Sequence, residues 1–180
     1  MNVMPEYKAK DIIKVAQKYT GYIEKESNRQ LDDMSANAGD KNYTVFAKKY
    51  EELTGINDQG SPWCDMFVDC CFAEAYGKEK AMELLGGYSA YTPTSAQNFM
   101  KMEQWHTEKP EPGDVIFFKN NKRICHTGIV YKATKTNIYT IEGNTSAGKI
   151  MIPNGGEVCK KQYRLDNPDI AGYGRPKYDL

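Results

Sequence analysis

The fold is decided by the stretch Ser61-Pro62-Trp63-Cys64-Asp65-Met66-Phe67-Val68-Asp69-Cys70-Cys71-Phe72, which predicts a turn leading directly into a buried helix. Proline suits a position at a helix start, because its missing N–H has no partner to lose there. Past the turn, apolar side chains recur at steps of three and four residues, namely Phe67, Val68, Cys71, Phe72 and Ala75. This spacing predicts a helix that begins at Cys64, buries one face and ends near Gly77.

The thiol of Cys64 is predicted to lie in the first turn of that helix. Unpaired backbone N–H groups and the positive end of the helix dipole both favour a thiolate at such a position. Free cysteines also serve as small apolar side chains in protein cores. This segment alone therefore leaves a nucleophile and a core residue equally open.

The length of 180 residues predicts one domain spanning residues 1–180, large enough to bury most of its apolar surface without stabilising disulfides. Lys+Arg and Asp+Glu are balanced at 24 each, so we expect no nucleic-acid or membrane partner, and we expect a monomer. No apolar run approaches the roughly 20 residues that span a bilayer. The first residues lack the apolar core of a secretory signal peptide, so we expect a soluble protein made in the cytoplasm, with no indicated export route.

The five cysteines are an odd set, and two of them are adjacent on the predicted helix and point in different directions. We therefore expect Cys64, Cys70, Cys71, Cys125 and Cys159 all to be reduced. There is no C-x-x-C pair and there are two histidines, so we predict no zinc site. The polar stretch 27–40 is acidic, but its glycine falls one place late for an EF-hand loop, and a solvated loop is the favoured interpretation.

Helical spacing fills the first part of the chain, and strands fill the second. The predicted helices are 6–19, 43–53, 64–77, 78–85 and 94–104, the second with Phe46, Tyr50 and Leu53 inward and the last capped by Thr94 behind Pro93. The predicted strands are 114–118, 126–133, 137–144, 158–165 and 170–175. Helices first and antiparallel strands second predict an α+β fold in one domain.

The strands 126–133 and 137–144 are joined by a short connection and predict a hairpin turning about Lys135. In that register Ile129 opposes Ile141, and Gly128 opposes Glu142. His126 then opposes Asn144 and shares a face with both Asn144 and Glu142, within about 8 Å. A slip of one residue would send these side chains to opposite faces, so the arrangement is a prediction.

This face carries a base and two groups that can orient it. An imidazole acting on a thiol needs one nitrogen facing the sulfur and the other N–H held by an acceptor. Glu142 or Asn144 can be that acceptor, and Gly128 leaves room for the ring to lean toward the carboxylate. The other histidine, His106, lies in a polar stretch and is predicted to be on the surface.

Four motifs in order resemble the CHAP family, the cysteine, histidine-dependent amidohydrolases/peptidases that cut peptidoglycan. They are Trp63–Val68, Pro112–Phe118, His126–Val130 and Ile141–Asn144, and the resemblance extends over about residues 50–176, including Gly172–Pro176. The N-terminal part, from Gly21–Lys25 through Asn42–Thr44, is also similar to the segment that precedes the nucleophile in prophage endolysin-type members.

The resemblance implies a papain-like fold with Cys64 as nucleophile and His126 as base. It also implies that Glu142 orients the imidazole and that Asn144 assists. The related NlpC-type hydrolases use a second histidine as third member, but here no histidine follows His126. The implied substrate is bacterial peptidoglycan, cut at a stem-peptide or cross-bridge amide by a muramoyl–alanine amidase or a D-alanyl endopeptidase.

Some details stay open at this point. Some family members bind calcium through acidic residues before the nucleophile, but Asn57 and Asp58 are a sparse counterpart, so we predict no cofactor. The backbone N–H of Cys64 is a natural oxyanion donor, and Gln59 is one candidate for a second. A non-catalytic wall-binding module and a cysteine protease acting on protein amides are the alternative functions, because a fold does not define an activity.

Overall fold

The computed structural model describes residues 3–180, and within them helices come first and strands second. The helices are α1 Ala9–Lys18, α2 Val45–Thr54, α3 Cys64–Tyr76, α4 Lys78–Leu85 and α5 Thr92–Lys101. The strands are β1 Trp105–His106, β2 Val115–Lys119, β3 Ile124–Ala133, β4 Asn137–Thr145, β5 Glu157–Arg164 and β6 Ile170–Gly174. The predicted α+β, papain-like order of elements is confirmed.

The six strands form one antiparallel sheet in the order β1-β6-β2-β3-β4-β5. Strands β2, β3 and β4 are interior strands: β2 and β4 have mostly buried residues, and β3 is buried from His126 to Val130. The last strand, β6, returns to pair with β2 rather than adding to the β5 edge. The catalytic candidates on β3 and β4 therefore lie in the interior of the sheet.

Helix α3 is buried more completely than the apolar spacing predicts. The sequence indicates one buried face, yet Asp65 and Asp69 are buried as well, each 2% exposed. Just before the helix, the Trp63 ring stacks on Phe46 at 5.4 Å between centroids, and Phe46 meets Phe67 edge-on at 5.1 Å. These aromatic contacts hold the start of α3 in the centre of the molecule.

Strand β4 lies directly against α3 at Gly143. A side-chain carbon added at Gly143 would lie 2.7 Å from Cβ of Phe67, a distance at which something must move. Glycine is required here because the sheet and the helix approach too closely for any side chain. This close approach brings the end of β4 to the first turns of α3.

The hairpin between β3 and β4 has the predicted register at its centre, where Ile129 pairs with Ile141. The connection also turns where expected, with the N–H of Thr134 donating to the carbonyl of Asn137 at 2.8 Å. A bulge near Tyr131 shifts the pairs on the turn side by one residue. The bulge falls on the far side of Ile129 from His126, so the predicted faces are kept where the chemistry lies.

Two local predictions are corrected by the structure. Helix α5 begins at Thr92, before the predicted Thr94, and Pro93 occupies its first turn, where its missing N–H costs nothing. The prediction that Thr94 caps this helix is therefore wrong. His106 is half-buried in the short strand β1, where it pairs with Tyr173, so its predicted surface position is also wrong. Strand β1 escaped sequence analysis because two residues carry no periodicity.

The segment between α1 and α2 attaches to the far edge of the sheet and to the turn before α3. The N–H groups of Gly21 and Glu24 donate to the carbonyls of Val158 and Gly156, each at 2.9 Å. At its other end, Thr44 caps α2 by accepting from the N–H of Ala47 at 3.0 Å. In α2, Phe46 and Tyr50 are buried as predicted.

Candidate active site

Cys64 begins α3, at the position that the sequence predicts for it. Trp63 is the N-cap of α3, and its side chain makes no capping hydrogen bond. The Trp63 side chain therefore leaves the N–H groups of the first turn unpaired. Cys64 itself is 5% exposed and lines a cavity of about 410 Å³. Cys64 is therefore mostly buried, but part of the residue borders the cleft.

The cleft beside Cys64 is lined by residues drawn from three segments, 56–64, 89–92 and 123–125, together with Tyr50. The first segment is the turn before α3, the second leads into α5, and the third opens β3. Three regions distant in sequence thus form one binding surface around the thiol. A cleft of this kind is where an extended peptide can reach the nucleophile.

Two buried carboxylates of α3 hold the 89–95 wall of the cleft. The hydroxyl of Ser95 donates to Asp65 at 2.6 Å, and the N–H of Ser89 donates to Asp69 at 3.0 Å. Burial raises the pKa of Asp65 to about 7, against the lowering effect of Ser95. Although Asp65 directly follows Cys64, its carboxyl group is used to hold this wall through Ser95.

His126 and Glu142 come together on the face that the hairpin predicts. Nε2 of His126 lies 2.7 Å from Oε1 of Glu142, and both side chains are fully buried. A carbon added at Gly128 would lie 2.5 Å from Cγ of Glu142, so the space left by this glycine is filled by the carboxylate. Because a carboxylate accepts, Nε2 carries the proton and Nδ1 is left for the thiol.

Glu142 is held by two further groups that sequence analysis missed. The hydroxyl of Thr140 donates to Oε2, and the phenol of Tyr163 donates to Oε2 at 2.8 Å and to Oε1 at 3.1 Å. Strand alternation places Thr140 on the same face as Glu142 and could have revealed it. Tyr163 could not be predicted in the same way, because no pattern in the sequence of β4 or β5 indicates that these two strands pair. Together these donors satisfy a carboxylate that would otherwise be costly to bury.

The second ring nitrogen of His126 is free for a partner. Nδ1 is buried and makes no hydrogen bond among residues 3–180, and Cys64 is near enough to influence the pKa of the ring. Burial lowers the pKa of His126, but the interactions with Cys64 and then with Glu142 outweigh burial and raise the pKa to about 9. Hydrogen bonds between catalytic groups are often loose before substrate binds.

We expect NMR titration to show that His126 stays protonated to about pH 9. Its folded pKa lies above the unfolded value of about 6.5, so its contribution to stability is complete below about pH 6.5 and is lost as pH rises through the folded value. The His106→Gln variant leaves a single histidine for ¹⁵N-edited spectra. A midpoint near the unfolded value would show that no thiolate and carboxylate flank the ring.

Asn144 lies outside the hydrogen-bonded pair of His126 and Glu142. Oδ1 of Asn144 accepts from the N–H of Gly156 at 3.2 Å, and Asn144 makes no hydrogen bond to His126. Its Nδ2 is buried and has no partner among residues 3–180. Asn144 has a φ of +53° and lies in an irregularity of the β4–β5 pairing between Glu142 and Thr145. The β3–β4 pairing stops at Ile129 and Ile141, so the predicted opposition of Asn144 to His126 is not formed.

Gln59 is not a second oxyanion donor. Its Nε2 donates to the carbonyl of Thr44 at 2.9 Å, and its Oε1 accepts from the N–H of Thr44 at 3.0 Å. Both ends of the amide are therefore used to attach the turn before α3 to the start of α2. No local pattern indicates that Thr44 lies beside Gln59, so this contact could not be predicted.

All five cysteines lie within residues 3–180 and are free thiols. In this range no three His, Cys, Asp or Glu side chains converge as metal ligands, and the polar stretch 27–40 forms bends and turns. Nor does any helix described there have the length and apolar character to cross a bilayer.

The order of elements and the candidate site residues are typical of one class of enzyme. Helices followed by an antiparallel sheet, with a thiol at a helix start and an imidazole–carboxylate pair on the adjoining strands, are typical of papain-like cysteine-dependent hydrolases. Residues 56–144 match the family model described as CHAP domain. The chain belongs to the CHAP family, whose members are cysteine- and histidine-dependent amidohydrolases.

The family match covers the elements that carry the site. It begins in the turn before α3 and ends at Asn144, whereas the resemblance judged from motifs extends over about residues 50–176. Strands β5 and β6 lie beyond the match but complete the same sheet. No curated protein and no solved structure matches the chain in the comparisons made.

Proposed function

We propose that this protein hydrolyses an amide bond of bacterial peptidoglycan by nucleophilic catalysis at Cys64. The observation that carries the proposal is the buried pair in which Nε2 of His126 lies 2.7 Å from Oε1 of Glu142, while Nδ1 is left without a hydrogen bond. Cys64 lines the cleft and is near enough to raise the pKa of the ring. A thiol oriented in this way against an imidazole is the arrangement that acyl transfer requires.

The chemical steps follow from the protonation of the pair. The Cys64 thiolate attacks the amide carbonyl, and the His126 imidazolium donates its Nδ1 proton to the leaving amine as the C–N bond breaks. Water, deprotonated by the now neutral ring, then attacks the thioester and releases the new carboxylic acid and the Cys64 sulfur. Glu142 keeps the ring oriented and stabilises its positive charge throughout.

The oxyanion of each tetrahedral intermediate needs donors at the start of α3. The backbone N–H of Cys64 is free of an intrahelical partner and lies at the positive end of the helix dipole. Asn144 enters the proposal as an assisting residue, because its buried Nδ2 is a donor without a partner in the described part of the chain. These groups supply every proton and electron pair that the reaction needs, so the proposed mechanism uses no cofactor.

The proposed substrate bond lies in the stem peptide or the cross-bridge. A thiol, a base and an orienting carboxylate can serve a muramoyl–alanine amidase or a D-alanyl endopeptidase equally well, so both activities are part of the proposal. We propose that the protein is synthesised in the cytoplasm and acts on the cell wall as a monomer.

Digestion of purified cell walls followed by mass spectrometry of the released muropeptides tests this function. We expect products with one new amine and one new carboxyl group at a single type of bond, and their masses identify that bond. Walls incubated without protein are the control. Binding to walls without any release would contradict the proposal and indicate a non-catalytic module, and cleavage of casein but not of walls would indicate a protease.

A further inference from the structure

The cleft contains one positively charged lining residue, Arg123, directly before the strand that carries His126. Its side chain is exposed, and no carboxylate of residues 3–180 lies within 4.0 Å of it. The one acidic lining residue, Asp58, belongs to another segment and accepts a hydrogen bond from the Ser61 hydroxyl at 2.9 Å. The charge of Arg123 is therefore not neutralised within the cleft.

Arg123 is nevertheless held in place. Its guanidinium lies 5.3 Å from the centre of the Tyr91 ring, and its Nη1 donates to the carbonyl of Ile124 at 2.8 Å. That carbonyl also accepts from the hydroxyl of Thr92 at 3.0 Å, which joins the start of α5 to the start of β3. An arginine stacked on an aromatic ring and fixed at one nitrogen keeps its remaining N–H donors in a defined direction.

The charge of Arg123 reaches the region of the nucleophile. Burial raises the pKa of the neighbouring thiol Cys125, and the positive charge of Arg123 opposes that rise. Cys64, Arg123 and Cys125 all line the same cavity of about 410 Å³, so the three residues lie along one cleft. An anion bound at Arg123 would thus sit near the bond under attack.

We propose that Arg123 and Tyr91 form a subsite for a free carboxylate of the peptidoglycan stem peptide. The planar guanidinium matches a carboxylate in two parallel hydrogen bonds, and the Tyr91 ring covers one face of the pair. Stem peptides carry carboxylates at the second residue and at the C-terminus, and either can be free or amidated. This inference rests on the proposed function, and it makes the amidation state of the wall a determinant of specificity.

Defined muropeptides test the subsite, each prepared with the second-residue carboxylate or the terminal carboxylate free or amidated. We expect Arg123→Gln to lower kcat/KM about tenfold, through KM, for the fragment whose free carboxylate binds, because a charge-assisted hydrogen-bond pair is lost. The same variant should leave the kinetics of the corresponding amidated fragment unchanged. Arg123→Lys should recover part of the loss, since it keeps the charge without the fork.

Lys122→Gln is the matched control, because it removes the same charge from an exposed neighbour that does not line the cleft. Calorimetry on the Cys64→Ala protein, with and without Arg123→Gln, measures binding of the same fragments independently of turnover. Equal binding and equal hydrolysis of free and amidated fragments would overturn the subsite while leaving the proposed function standing. If wild type cleaves none of them but binding still depends on Arg123, the proposed function fails and the subsite survives.

Discussion

Replacing Cys64 by alanine is expected to abolish release of muropeptides from purified walls. The sulfur is the atom that forms the covalent intermediate in the proposed mechanism, and neither a methyl group nor water at the same place can take its role. Losses on the order of 10⁴-fold or more in kcat are typical when a nucleophile is removed. The measurement is the initial rate of product formation, followed by mass spectrometry.

Cys70→Ala is the matched control for this change, because it removes a second buried thiol from the same helix. The Cys70 thiol lies 3.2 Å from the carbonyl of Phe46, away from the cleft. We expect this variant to keep its activity, and we expect thermal unfolding to show that both variants are folded. Wild-type clearing of walls by the Cys64 variant would end the proposal of thiol catalysis.

Replacing Glu142 by glutamine is expected to lower kcat by about 10²-fold to 10⁴-fold with little change in KM. Glutamine preserves the shape of the side chain but removes the charge that stabilises the imidazolium, and its amide can present an N–H to Nε2. The ring would then lose both its orientation and its preferred tautomer. Steady-state kinetics on a defined muropeptide separates the two constants.

The pH profile of this variant distinguishes an orienting role from a structural one. The Glu142 charge helps to raise the pKa of His126 to about 9, so the alkaline limb of activity should move to lower pH when that charge is removed. Tyr163→Phe removes one donor to Glu142 but keeps its charge, and should cause a much smaller loss. An unchanged kcat with an unchanged profile would remove Glu142 from the mechanism.

Much of the secondary structure could be predicted because it is determined locally. Helices α3 and α4 begin and end where apolar spacing and glycine indicate, and strands β2 to β6 agree with the predicted runs to within about two residues. The N-terminus of α5 was misplaced because Pro93 fits both before a helix and within its first turn. Strand β1 could not be predicted, since its two residues are strand only through pairing with β6.

The site was predictable to the extent that one hairpin determines it. Alternation along β3 and β4, with the register centred on Ile129 and Ile141, was enough to bring His126 to Glu142. Asn144 departs from that pattern because the β3–β4 pairing stops at Ile141 and the backbone at Asn144 is left-handed. Gln59 departs because the nearby backbone of Thr44 satisfies its amide, and only the packing of the preceding helix places Thr44 there.

Residue types and local spacing were sufficient to predict the candidate reactive groups: a thiol at a helix start, and an imidazole and a carboxylate on one face of neighbouring strands. These features depend on residue type and on periods of a few residues, which short-range sterics and hydrogen bonding impose. Three features depend on tertiary packing: Cys64 comes near enough to His126 to raise its pKa, Tyr163 donates to Glu142, and Arg123 lines the same cleft as Cys64. Such contacts join distant segments, and they follow from how the helices pack on the sheet, which no local pattern encodes.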